Sequence, residues 1–203
     1  MSLYKKLQQR AHESKPIRIA LIGAGKFGSM YLSQIPRTPG IHLVGIADLS
    51  PDRAQAALRR VGWQEDQFKA ASVAEAVSKG TTFITSDASR LIDDNAIELV
   101  IEATGVPAAG IEHALRCIQN GKHIVMVNVE ADVLAGPYLA KRAAEAGVIY
   151  SMASGDQPAL IAEMVDWART IGLEVVCAGK GTKYLPAYHA STPKTVWGHY
   201  GFS

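Results

Sequence analysis

The stretch Ile17–Gln34, "IRIALIGAGKFGSMYLSQ", constrains this chain more than any other. Six residues with hardly a polar side chain run straight into glycines at Gly23, Gly25 and Gly28. An apolar run of that length fits a strand buried on both faces, which requires a parallel sheet covered by helices above and below. The glycine spacing then demands a tight turn into a helix, predicted over Lys26–Gln34 and stopped by Pro36 and Pro39. In that context each glycine has a separate task. Gly23 makes the turn, Gly25 lets a pyrophosphate approach the backbone, and Gly28 lets the helix lie close to the strand. The free amides of the first helical turn, around Lys26 and Phe27, would hold the phosphate charge.

The same alternation continues along the chain. Strands are predicted at Ile41–Ala47, Thr81–Thr85, Leu99–Ala103, "HIVMVNV", "VIYSMA" and "LEVVCAG". Between them, helices are predicted at "SPDRAQAALRRVG", Ser72–Lys79, "DASRLIDDN", Pro107–Asn120, Leu134–Ala146 and Pro158–Ile171, with Trp63–Ala71 irregular or weakly helical. Ser50 and Pro51 form a cap and first-turn pair, and Gly62, Gly121 and Gly147 each follow a helix end. The expected fold is therefore α/β, a Rossmann doubly wound parallel sheet with helices on both faces, plus the start of a truncated second domain. Residues 1–15 read as a helical arm, 16–157 as the nucleotide domain, and 158–203 as a linking helix and the beginning of a substrate or dimerisation domain. The roughly 20 residues that remain after "LEVVCAGKGTKYLP" cannot supply a sheet for the "LEVVCAG" strand. The chain is accordingly expected to be an inactive fragment, with Val175, Val176 and Trp197 forming an apolar face that promotes a homo-oligomer.

Ligands in such sheets sit beyond the carboxyl ends of the strands, at the reversal of strand order. Asp48 ends the second strand, 25 residues after Gly23. A carboxylate there accepts hydrogen bonds from both ribose hydroxyls and repels a 2′-phosphate, favouring NAD over NADP. Arg53, on the following helix, could still reach that phosphate, so NADP remains possible.

With 48% apolar and 20% charged residues and a net charge of +2, the composition gives no basic surface for nucleic acid or an anionic membrane. No apolar run approaches a membrane span, and Met1–Lys15 lacks the apolar core of a secretory signal. A cytoplasmic protein with a small-molecule substrate is expected. Cys117 and Cys177 read as buried small hydrophobes. His113 and His123 read as structural or exposed residues, and His189 and His199 fall in an aromatic, proline-rich tail. No cluster has the spacing of a zinc site, so no metal is expected. Asn128, Glu130, Asp156, Lys180 and Lys183 are the candidates for catalysis. Asp132 either joins them or simply starts a helix.

The segment "IEATGVPAAGIEHALRCIQNGKHIVMVNVEAD" resembles the homoserine dehydrogenases and their relatives. The resemblance spans about Ile17 to Thr182 and includes "SGDQPALI" and "AGKGT". It implies that Ala103, Thr104 and Gly105 pass beneath the nicotinamide ribose, and that the Asn128 loop faces the nicotinamide and substrate. "MVNVEADV", "GPYL", "GVIYS" and "GLEVVCAGKG" resemble the branch of predicted homoserine dehydrogenases with a C-terminal SAF domain. That branch includes an enzyme similar in function to deoxyxylulose-phosphate reductoisomerase. Two positions depart from these patterns: Val129 stands where homoserine dehydrogenases carry lysine, and Asp48 stands where the NADPH-using enzyme has a basic loop. The resemblance implies an NAD(P)-dependent oxidoreductase acting on a small polar alcohol or carbonyl, such as a sugar acid, sugar phosphate or amino-acid alcohol. A nucleotide-binding regulatory module without turnover is the alternative.

Overall fold

In the computed structural model, residues 2–153, 157–179 and 185–200 are described. The chain divides into two units, Met1–Ser154 and Gly155–Ser203. The first contains one six-stranded sheet in the order β3-β2-β1-β4-β5-β6. Its strands are β1 (Ile17–Ile22), β2 (Ile41–Ala47), β3 (Phe83–Thr85), β4 (Leu99–Glu102), β5 (His123–Met126) and β6 (Tyr150–Met152). Every pairing is parallel. The doubly wound α/β fold is thus present, and the strand order reverses between β1 and β4.

The alternation of side chains along β1 divides the interior in two. Ile19 and Leu21 face a core built with Leu32 of α2 (Lys26–Gln34) and with Ala54 and Leu58 of α3 (Pro51–Arg60). Ala20 and Ile22 face the opposite core, which contains Leu91, Ala114, Cys117 and Leu139. Those residues come from α5 (Ser89–Ile92), α6 (Pro107–Gln119) and α7 (Val129–Glu145). The short α4 (Val73–Lys79) closes the same face beside β2 and β3. On the N-terminal side, α1 (Leu3–His12) buries none of its own residues. It rests against Gly40, where an added Cβ would lie 2.1 Å from the Leu7 carbonyl oxygen.

Two elements differ from the sequence expectation. The helix predicted from Leu134 begins five residues earlier, at Val129, and the strand expected over "HIVMVNV" ends at Met126. Asn128 causes the change. Its Oδ1 accepts the Ala131 amide at 3.1 Å, which caps the helix as soon as the strand leaves the sheet. Pro137 lies inside α7 and does not end it.

In the second unit, α8 (Gln157–Thr170) is followed by Leu173–Gly179, which forms no strand. The apolar run "LEVV" has β-propensity, but among the described residues no neighbouring strand pairs with it. Backbone groups without a ladder partner remain in solvent, and Val176 is 87% exposed. A last helix, α9, covers Val196–Tyr200.

The same region corrects the reading of the cysteines. Cys117 is buried in the core, whereas Cys177 is exposed. Burial pushes the Cys117 thiol up to about 12, and only the thiolate reacts. A disulfide-exchange reagent at pH 8 should therefore titrate one thiol per folded chain and two in denaturant. Two rapid equivalents from the folded chain would place Cys117 outside the core.

Candidate active site

The β1–α2 turn is built by close backbone contacts. Gly23 has φ +97°, in the left-handed region, and an added Cβ would lie 2.6 Å from the Ala103 carbonyl oxygen. At Gly28 an added Cβ would lie 2.4 Å from the Gly23 carbonyl oxygen. These two glycines hold the turn against β4 and the helix against the turn. Gly25 is different. Among the described residues, an added Cβ there meets nothing within 4 Å, so its missing side chain answers to no neighbour in that set. The residue is exposed at the N-cap of α2, where no side chain caps the helix. The first-turn amides of Lys26 and Phe27 lie at that open helix start.

Asp48 anchors the turn from the end of β2. Its side chain is 1% exposed. Oδ2 accepts the Ala24 amide at 2.9 Å, and Oδ1 accepts the Ser50 amide at 2.9 Å and Arg53 Nη2 at 2.7 Å. The Arg53 side chain remains 61% exposed above it. One carboxylate therefore ties together the glycine turn, the start of α3 and the exposed Arg53 guanidinium.

A cavity of about 840 Å³ opens over this turn, lined by Gly23, Gly25, Asp48 and Arg53 on one side. Ala103, Thr104 and Val106, in the loop after β4, line another side, and Ser86 and Asp87, after β3, a third. The wall opposite the glycines comes from α6, through Ala109, Glu112, His113 and Arg116. The cavity thus occupies the reversal of strand order, the crevice that a doubly wound sheet offers to ligands.

The structure also places the other candidates. Asn128 lies at the carboxyl edge of the sheet and is 2% exposed. Besides capping α7, its Nδ2 donates to the Val106 carbonyl at 2.9 Å and to Thr104 Oγ1 at 3.3 Å. Both ends of the amide are thereby engaged in joining the β4 loop to α7. Gly105, at φ +70°, completes that loop. Glu130 is exposed in the first turn of α7. Asp132 accepts a 2.8 Å hydrogen bond from the Tyr150 hydroxyl. Burial and this bond raise the tyrosine's pKa above its ordinary value. Asp156, Lys180 and Lys183 lie outside the described residues.

Sequence reasoning passed over Glu102 and read His113 only as a structural or exposed residue. Glu102 is 0% exposed at the end of β4, and His113 approaches it from α6 with Nδ1 3.3 Å from Oε1. The available signal was a carboxylate ending an otherwise apolar strand. His123, by contrast, accepts the Ile149 amide at its Nδ1 and belongs to the β5–β6 framework.

Residues 17–153 match a family model described as the oxidoreductase family with an NAD-binding Rossmann fold (GFO/IDH/MocA). The chain belongs to this oxidoreductase family. A second model, described as the catalytic domain of oxidoreductase DRL, matches residues 155–201. Among curated proteins, a homoserine dehydrogenase from Methylobacillus glycogenes is 28% identical over 114 residues, covering 56% of this chain and 25% of that protein. Among solved structures, a homoserine dehydrogenase from Thiobacillus denitrificans superposes with a TM-score of 0.51 and 24% identity, over 68% of this chain and 29% of that one. Myo-inositol dehydrogenase from Lactobacillus casei, in complex with NAD(H) and myo-inositol, gives 0.54 and 16% identity, over 75% and 42%. These structural likenesses show the fold. The chain spans a quarter of its curated relative's length.

The family's cofactor fits what this chain presents. Gly25 leaves the backbone clear, and no side chain caps the helix start behind it, features compatible with a phosphate-bearing cofactor.

Proposed function

We propose that this chain is the nucleotide-binding part of an NAD-dependent dehydrogenase or reductase acting on a small polar alcohol or carbonyl compound. The observation that supports this most is Gly25, a residue whose lack of a side chain serves no packing need among the described residues and clears the space a pyrophosphate requires. Gly23, Gly25 and the amides of Lys26 and Phe27 would take the pyrophosphate, Asp48 the adenosine ribose, and the Ala103–Gly105 loop the nicotinamide side. When bound, the nicotinamide supplies hydride chemistry, and the protein supplies orientation and electrostatics. Asn128 holds the Thr104 loop in place, and exposed Glu130 is the titratable side chain at the start of α7 available to a substrate. Asp156, Lys180 and Lys183 extend the candidate set for proton transfer. The match of residues 155–201 to the DRL catalytic domain supports an oxidoreductase, and the homoserine dehydrogenase relative supports an amino-acid alcohol as one candidate substrate beside a sugar acid or sugar phosphate.

A nucleotide-responsive module without turnover is the second reading. It is favoured by Val129 in place of a lysine and by the full engagement of the Asn128 amide. Oxidation of NADH with a panel of small carbonyl compounds, measured on the full-length protein, separates the two: turnover supports the first, binding alone the second.

Cofactor preference provides a finer test. Asp48 should make NADH bind more tightly than NADPH, since a 2′-phosphate would meet a buried carboxylate. Arg53 Nη2 is the neighbouring group able to offset that repulsion. Arg53→Ala should therefore widen the preference for NADH by about tenfold, the effect of one charge-assisted contact. A narrower gap in paired fluorescence titrations would remove Arg53 from this role.

A further inference from the structure

Glu102 stands out among the groups around the cavity. It is a carboxyl group with no solvent exposure, and its two oxygens have unequal surroundings. Oε1 lies 3.3 Å from the Thr104 amide and 3.3 Å from His113 Nδ1. Oε2 is buried with no hydrogen-bond partner among the described residues. Buried polar groups normally find partners, so an exception calls for a physical account.

Packing shows how the arrangement is held. Gly110 brings α6 down on this spot: an added Cβ would lie 3.1 Å from Glu102 Oε2, 2.7 Å from Asn128 Nδ2 and 2.9 Å from the Ala131 Cβ. The missing side chain lets β4, α6 and α7 converge on the carboxyl group. His113 lies three residues further along α6, on the face of the helix that Gly110 presents. Its side chain is 20% exposed and lines the cavity beside Ala109 and Arg116. With Glu102 as a carboxylate, its Oε1 accepts from Nδ1; in that tautomer of the neutral ring the opposite nitrogen, Nε2, is the acceptor. A histidine held in this way presents a fixed acceptor to a hydroxyl or amine donor.

We propose that His113 contacts the bound dinucleotide through Nε2, accepting from a nucleoside hydroxyl or amine. Glu102 is the positioning residue that fixes the imidazole and the Thr104 turn for that contact. The inference rests on the cavity being the dinucleotide site.

A double-mutant cycle on the 203-residue chain tests it, with affinities read by NADH fluorescence. His113→Asn keeps a donor towards Glu102 and removes the acceptor facing the cavity, and should weaken NADH binding about tenfold. Glu102→Gln should weaken it by a similar factor, and the double variant should bind no more weakly than the weaker single one. ADP locates the donor. If ADP affinity falls with NADH affinity, the contact is on the adenosine half; if only NADH suffers, it is on the nicotinamide half. Unchanged NADH affinity in His113→Asn overturns the proposal, as does a double variant whose losses multiply. Where Glu102→Gln does not fold, His113→Asn with a native circular dichroism spectrum decides alone by the same criterion. Failure of the unmodified chain to bind NADH contradicts the dinucleotide site itself and is distinguishable from all of these.

Discussion

Gly25→Val is expected to abolish dinucleotide binding and leave the fold and its melting temperature essentially unchanged. Among the described residues, an added Cβ at Gly25 meets no protein atom within 4 Å, so a branched side chain there enters the cavity and not the core. The volume it fills is the one the proposed function assigns to the pyrophosphate at the first turn of α2. The neighbouring glycines should behave in the opposite way. Valine at Gly28 would drive its Cβ to 2.4 Å from a backbone carbonyl oxygen, which no side-chain rotation relieves. That variant should lose stability first and binding only as a consequence. Thermal melts paired with NADH titrations for the two substitutions make the contrast measurable. A destabilised Gly25→Val protein would show that this glycine serves packing after all.

Asp48→Ala should damage both fold and site. Truncation removes the acceptor for the Ala24 and Ser50 amides and releases Arg53. Leaving buried donors without partners costs roughly 1–3 kcal/mol, so unfolding in urea should show a loss of about 2 kcal/mol. NADH affinity should fall by about a hundredfold, because a ribose acceptor is lost along with the anchor of the glycine turn. NADPH affinity should fall less, since the carboxylate that repels its phosphate is gone. Equal losses for the two cofactors would mean that Asp48 acts only on the turn and not on the ribose.

The parts of this molecule legible from its residues are those where one local signal suffices. Ile17–Ile22 followed by Gly23, Gly25 and Gly28 identifies a strand, a turn and a helix start in succession, and the structure has all three. Ser50 and Pro51 likewise mark the start of α3. The signal failed where tertiary partners decide the outcome. "LEVVCAG" has the composition of a strand, but a strand is a property of a pair, and no partner accompanies it among the described residues. The apolar pattern of "HIVMVNV" ran on to Val129, but the Asn128 side chain turns back to cap a helix. The contact between Glu102 and His113 went unseen for a related reason. They are 11 residues apart, on a strand and the helix that follows, and they meet only because Gly110 lets α6 settle onto the end of β4. Nothing in either residue's immediate neighbours announces that contact.

The stripe formed by Leu160, Met164, Trp167 and Ile171 is exposed along and just beyond α8. Its spacing is that of one helix face, and its position within the DRL-matched segment agrees with a chain of which the relatives carry considerably more.

The most direct test of the central claim is a calorimetric titration of the folded chain with NADH. Saturable binding of one NADH per chain, lost in Gly25→Val at an unchanged melting temperature, is the expected result. No heat of binding at millimolar NADH, or equal binding by Gly25→Val, would contradict the assignment of the β1–α2 turn as the dinucleotide site.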